Sequence, residues 1–91
     1  MIKIKITGVF DKQLERIILE NKNIHVIVKE RIKLFQKNPQ DTRLANHALR
    51  RRLKGKWSFS ITSDIRIIYV WSGEDTVRFL AIGTHHQVYG R

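Results

Sequence analysis

Residues 57–82 read WSFSITSDIRIIYVWSGEDTVRFLAI, and the fold turns on this stretch. Trp57, Phe59 and Ile61 alternate with Ser58, Ser60 and Thr62, the period of two expected of a strand with one buried face. Thr62-Ser63-Asp64 suits a tight turn, because short polar side chains bond back to their own backbone. Ile65 to Trp71 is a β-prone run whose only charge is Arg66. Ser72-Gly73-Glu74-Asp75 predicts a hairpin, and Thr76 to Ile82 a last strand ended by Gly83. Trp57, Phe59, Ile61, Ile65, Ile67 and Tyr69 are expected on the core side, with Trp71 packed among them. Ser58, Ser60 and Arg66 are expected to share the opposite face. Thr84 to Arg91 reads as a polar tail.

Upstream, Ile2, Ile4 and Ile6 alternate with Lys3, Lys5 and Thr7, predicting a half-buried first strand. Gly8 punctuates it. Phe10, Leu14, Ile17 and Ile18 then fall on one face of a helix. Asn21-Lys22-Asn23 breaks that helix, and Asn23 is expected to cap the next by accepting a free backbone N–H. The second helix carries Ile24, Ile27, Val28, Leu34 and Phe35 on its apolar face and stops at Asn38-Pro39. Residues 40–56 are polar and basic, anchored by Leu44, Leu49 and Leu53. The order β-α-α-β-β-β predicts an α+β fold, with two N-terminal helices packed on one face of a four-stranded, mostly antiparallel sheet.

The chain of 91 residues fits one small domain spanning 1–91. Its 42% hydrophobic content, with four phenylalanines, two tyrosines and two tryptophans, supports a core and argues against disorder. The absence of cysteine excludes a disulfide scaffold, a thiolate zinc site and a cysteine nucleophile. MIKIKITG lacks the apolar run of a signal peptide, and no apolar stretch approaches ~18 residues. A cytoplasmic protein with no membrane span is expected.

Eighteen Lys and Arg against eight Asp and Glu leave a formal charge of +10. Such self-repulsion opposes folding and points to a polyanion or an acidic partner. The charge concentrates at Arg50, Arg51, Arg52, Lys54 and Lys56, five of the seven residues 50–56. An anion-binding surface accounts for this cluster better than a merely solvated loop. Arg66, between isoleucines inside a strand, is costly unless its charge is paired or serves a ligand. Either a salt bridge to Asp64 or the C-terminus, or a phosphate gripped by the planar guanidinium, would satisfy it.

Four histidines occur, at 25, 47, 85 and 86. His25 opens the second helix and reads as a surface residue. An imidazole, ordinarily titrating near ~6.5, can take or give a proton near neutral pH. RNA carries its own nucleophile in the 2′-OH, so cleavage needs only proton transfer and stabilisation of the strained phosphate. Tyr89 is suited to stacking on an unpaired base. His85-His86 do not suggest a metal site, since adjacent side chains on an extended chain point apart. No metal or cofactor is expected.

The run RLANHALRRRLKGKWSFSITSDIRIIYVW, followed by VRFLAIGTHHQVYG, resembles the RelE/ParE toxin superfamily, closest to its YafQ-like branch. The likeness rests on four fragments in order: His47-x-Leu49, Leu53-Lys54-Gly55-x-Trp57, Asp64-x-Arg66-x-Ile68-Tyr69, and Ile82-Gly83-Thr84-His85 followed by Tyr89-Gly90. It implies a RelE-like fold and an mRNA interferase, the toxin of a type II toxin–antitoxin pair. Such a metal-independent endoribonuclease cuts message in the ribosomal A site, leaving a 2′,3′-cyclic phosphate and a 5′-OH. Its implied partners are a cognate antitoxin, with a heterotetramer as one possible assembly, and the ribosome with its mRNA.

Carried over by position, His47 matches the histidine before the LKG segment, Asp64 the acidic residue at the turn, and His85 the histidine of the GTH motif. Tyr89 falls where the family keeps an aromatic, and Arg66 where many RelE-like toxins hold phosphate. His85 and Asp64 are expected to handle the protons, with His47 assisting. One position departs: four residues before Asp64, YafQ-like enzymes carry a histidine and this chain has Ser60, which leaves base and acid unassigned. The alternative is a ParE-like toxin that inhibits DNA gyrase and cuts nothing, a branch that does not call for the His47, Asp64 and His85 set. A third reading is an RNA-binding module that blocks translation by occupancy.

Overall fold

The structure is a computed structural model that describes residues 1–89; Gly90 and Arg91, the end of the expected polar tail, lie outside the described residues. Strand β1 (Lys3–Ile6) leads into helices α1 (Gly8–Glu20) and α2 (Ile24–Lys37), then come β2 (His47–Ala48), β3 (Trp57–Ser60), β4 (Ile65–Trp71), β5 (Thr76–Thr84) and α3 (His85–Val88). The strands form one sheet in the order β1-β5-β4-β3-β2. β1 runs parallel to β5 and the other pairings are antiparallel. The α+β architecture is as expected, but the described sheet has five strands rather than four. The extra one, β2, is two residues long, too short to display a period of two.

Thr7 starts α1 by accepting the Phe10 N–H on its hydroxyl, while the same Oγ1 donates to the Phe79 carbonyl and ties the helix start to β5. α2 departs from expectation at its start. Asn23 makes no side-chain cap; Asn21 Oδ1 instead accepts from the Asn23 N–H at 3.1 Å, because Asn23 already has helical dihedrals and its side chain cannot reach back. Asn38 ends α2 before Pro39. β5 runs two residues beyond Ile82 to Thr84 and accommodates a register shift opposite Ile68 and Tyr69. Beyond the end of β1, the Ile82 N–H donates to Gln13 Oε1 of α1 at 2.9 Å.

Both long helices press their apolar faces onto one side of the sheet. Phe10, Ile24, Val28 and Phe35 meet Phe59, Ile61, Ile67, Tyr69, Val77, Phe79 and Ile82, with Leu44 from the following loop. Trp57, Ile65 and Trp71 pack at the margin of this cluster, so all six residues expected on the core side are there. Phe35 and Phe59 stack at 4.4 Å with planes 10° apart, and Tyr69 meets Phe35 edge-on at 5.0 Å. Ile2, just before β1, and Ile4 within it reach the cluster, whereas Ile6 is exposed.

Tyr69 is buried, and its hydroxyl donates to Asn46 Oδ1 at 2.7 Å. Burial pushes its phenol up to about 12 from 10.0. Because the folded value is raised, the stability this group contributes is whole below pH 10.0 and is lost as pH rises towards about 12. Alkaline unfolding in urea, followed with phenolate absorbance, should show a Tyr69-dependent decline within that window, and Tyr69→Phe should lack it. A Tyr69 that ionised in the native state near pH 10.0 would contradict the burial argument.

No helix among the described residues is long and apolar enough to cross a membrane.

Candidate functional site

Alternation puts Ser58, Ser60, Arg66 and Ile68 on the sheet face away from α1 and α2. The register aligns them in rows. His47, Ser58, Ile68 and Ala81 are successive cross-strand partners. Ser60, Arg66 and Gly83 form the next row, about 6.6–6.8 Å further towards the β3–β4 turn. At the sheet end, Ile65 pairs with Thr84, so Asp64 and His85 are the next residues outward on neighbouring strands. Arg66 therefore lies between His47 on one side and the Asp64 and His85 positions on the other.

Arg66 Nη1 donates to Ser60 Oγ at 3.0 Å. Arg66 forms no salt bridge with Asp64: among the described residues the only ion pair is Arg43 with Asp41 at 2.8 Å. That exposed pair, through its side-chain hydrogen bond, lowers the Asp41 carboxyl to about 2. The Arg66 Nε is buried without a hydrogen-bond partner among the described residues. Near the start of β4, a guanidinium with a hydroxyl neighbour and no carboxylate among the described residues is available to an anion, while the alternative partner, the C-terminus, lies outside them.

His47 is exposed, and its Nδ1 lies 2.8 Å from the Ala45 carbonyl. A carbonyl only accepts, so Nδ1 carries the proton and Nε2 of the neutral ring keeps its lone pair. The loop is fixed from below: Asn46 accepts from Tyr69 and donates to the Pro39 carbonyl at 3.1 Å, and Ala45 is left-handed at φ 48°. The basic cluster forms the connection between β2 and β3, closed by Leu49 N–H to Lys56 O at 2.8 Å. Arg50, Arg51 and Arg52, with Leu53, Val88 and Tyr89, line an open cleft of about 400 Å³; Lys54 and Lys56 lie outside its lining.

The residues read as a tail form α3. Thr84 Oγ1 accepts from the Gln87 N–H at 3.2 Å while Gln87 Oε1 accepts from the Thr84 N–H at 2.9 Å. This reciprocal capping box is spelled Thr84-His85-His86-Gln87 in the sequence, a legible signal that the tail reading passed over. α3 approaches the far face closely: a Cβ on Gly83 would meet Gln87 Oε1 at 2.7 Å and Val88 Cγ1 at 3.4 Å. The Tyr89 hydroxyl donates to Ser58 Oγ at 3.0 Å, and the His85 and Tyr89 rings meet edge-on at 4.3 Å.

Asp64 is exposed at the turn and lines a different cleft, of about 500 Å³, with Lys12 and Arg16 of α1 and with Thr84 and Gln87. The structure thus brings His85, Tyr89, Ser58 and the arginines together, and sets Asp64 round the end of the sheet. His25 is exposed on α2. No three His, Cys, Asp or Glu side chains among the described residues converge to hold a metal ion.

Residues 2–90 match the family model described as a bacterial toxin of type II toxin–antitoxin systems, YafQ. The chain belongs to the YafQ toxin family. Solved structures agree at the level of fold. YafQ from Escherichia coli strain BL21(DE3) is 22% identical over 99% of this chain and 100% of its own, with a TM-score of 0.80. YafQ in the E. coli DinJ-YafQ complex is 23% identical over 99% and 100%, also at 0.80. A YoeB/ParE toxin from Agrobacterium tumefaciens is 20% identical over 92% and 99%, at 0.76. No curated protein sequence matches the chain.

Proposed function

We propose that this YafQ-family toxin is a metal-independent endoribonuclease that cuts ribosome-bound mRNA in the cytoplasm and is neutralised by a cognate antitoxin. The observation that supports this reading is Arg66, free of any carboxylate partner among the described residues, on a face flanked by histidines and rimmed by arginines. In the reaction, the RNA 2′-oxygen attacks the adjacent phosphorus as its proton leaves to a base. The bond to the 5′-oxygen breaks and that oxygen takes a proton, giving a 2′,3′-cyclic phosphate and a 5′-OH. His85 handles one of these protons on the Tyr89 side and Asp64 the other from round the sheet end, and His47 assists through its free Nε2. Arg66 holds the non-bridging oxygens as charge builds on them, and Tyr89 offers a ring to a base. Arg50, Arg51, Arg52, Lys54 and Lys56 hold the flanking phosphates.

The antitoxin partner is supported by the family and by the complex of E. coli YafQ with DinJ. The test is incubation of the protein with programmed ribosomes, with product ends analysed for the cyclic phosphate. Inhibition of purified gyrase without any cleavage would replace this reading with the ParE-like one.

The basic cluster has its own test. Each phosphate neutralised contributes about 0.7–0.9 to the log–log dependence of affinity on salt. Arg51→Ala with Lys54→Ala should weaken binding to ribosomes and flatten the slope by about one to two units. An unchanged slope would make the cluster a solvated surface only.

A further inference from the structure

Ser58 is fully buried (0% exposed) although β3 presents it on the far face. There its Oγ accepts the Tyr89 hydroxyl at 3.0 Å. α3 has four residues, too few to persist by their own backbone bonds. Among the described residues its attachments include the capping box at its start, the close approach to side-chain-free Gly83 and this bond at its end. His85, the first residue of α3, touches Tyr89 ring to ring. Ser58 is also the cross-strand partner of His47, so both histidine-bearing segments are referred to one serine.

We propose that the Ser58–Tyr89 hydrogen bond is a latch that holds α3 against the sheet, making Ser58 a positioning residue for His85. The role in cleavage rests on the nuclease reading above; the latch itself does not. With the bond made, the width of the cleft between Arg50–Arg52 and Tyr89 is fixed, and so is the place of His85 relative to His47. With it broken, α3 opens more readily by local unfolding, since among the described residues this is the one side-chain hydrogen bond from its far end to the sheet. The two ends of the bond are not equivalent. Tyr89→Phe strands a buried Ser58 hydroxyl, whereas Ser58→Ala leaves a half-buried phenol that can turn to water.

The experiment compares Tyr89→Phe, Ser58→Ala and the double variant by amide exchange and by single-turnover cleavage on programmed ribosomes. Exchange at Gln87 and Tyr89, whose N–H groups bond to Thr84 and His85, should quicken by roughly threefold to tenfold in Tyr89→Phe and less in Ser58→Ala. The first-order cleavage constant should fall by a similar factor while ribosome affinity stays within about twofold, because the arginines are untouched. The double variant should be no slower than Tyr89→Phe, since one bond cannot be lost twice. Unchanged exchange in both single variants overturns the latch, as do losses that multiply in the double. Quickened exchange with undiminished cleavage overturns the positioning role. Absence of cleavage by the unaltered protein overturns the nuclease reading instead, with the exchange result still deciding the latch.

Discussion

His85→Ala is expected to slow cleavage of ribosome-bound message by about 10²–10⁴-fold, the usual contribution of one positioned proton-transfer group. The His85 ring is exposed and meets Tyr89 edge-on, so its removal should leave the fold intact and ribosome binding nearly unchanged. Arg66→Ala should cost a comparable factor, because a bond to the phosphate strengthens as its non-bridging oxygens gain charge. Arg66→Lys keeps the charge and loses the planar fork, and should recover only part of the rate. His25→Ala, on the exposed side of α2, serves as the control at full rate. EDTA should not affect the chemical step once message and toxin are bound to an intact ribosome. The measurement is single-turnover cleavage with product ends identified. Full activity in the His85 and Arg66 variants would remove this active site.

The far face was legible because it follows from arithmetic along the chain. Ser58, Ser60 and Arg66 must oppose Phe59, Ile67 and Tyr69 once the turn at 62–64 sets the register. Trp57, Ile61 and Ile65 fell on the core side by the same reasoning. What escaped depends on contacts distant in sequence. β2 has two residues and exists because β3 offers an edge to His47 and Ala48. α3 depends on a local capping box that the sequence does spell, and also on Tyr89 meeting Ser58 thirty-one positions away. The Asn46 that steadies the His47 loop carries no signal of its own, since its partners Tyr69 and Pro39 come from elsewhere. The separation of Asp64 from the Tyr89 cleft is likewise invisible to linear spacing, because it depends on how α1 borders the sheet end.

The second large effect concerns the core beneath this face. Phe35→Ala is expected to destabilise the protein by about 3–5 kcal/mol, the usual range for truncating a buried phenylalanine. Phe35 is fully buried (0% exposed), stacked on Phe59 and edge-on to Tyr69, so the void it leaves opens at the seam where α2 meets β3 and β4. Those strands carry Ser58 and Arg66 on their other side. A chain of 91 residues commands about 5–14 kcal/mol in all, and a formal +10 works against the compact state. The variant should therefore lose some 12–40 °C in melting temperature, or fail to show a cooperative transition. Leu19→Ala, at a residue 76% exposed on α1, should stay within about 0.5 kcal/mol. An RNA oligonucleotide that binds only the folded form should restore part of the Phe35→Ala loss by mass action, and more at low salt, where phosphate contacts are strongest. A loss below about 1 kcal/mol would mean that the stacked ring is not the keystone of the helix–sheet seam.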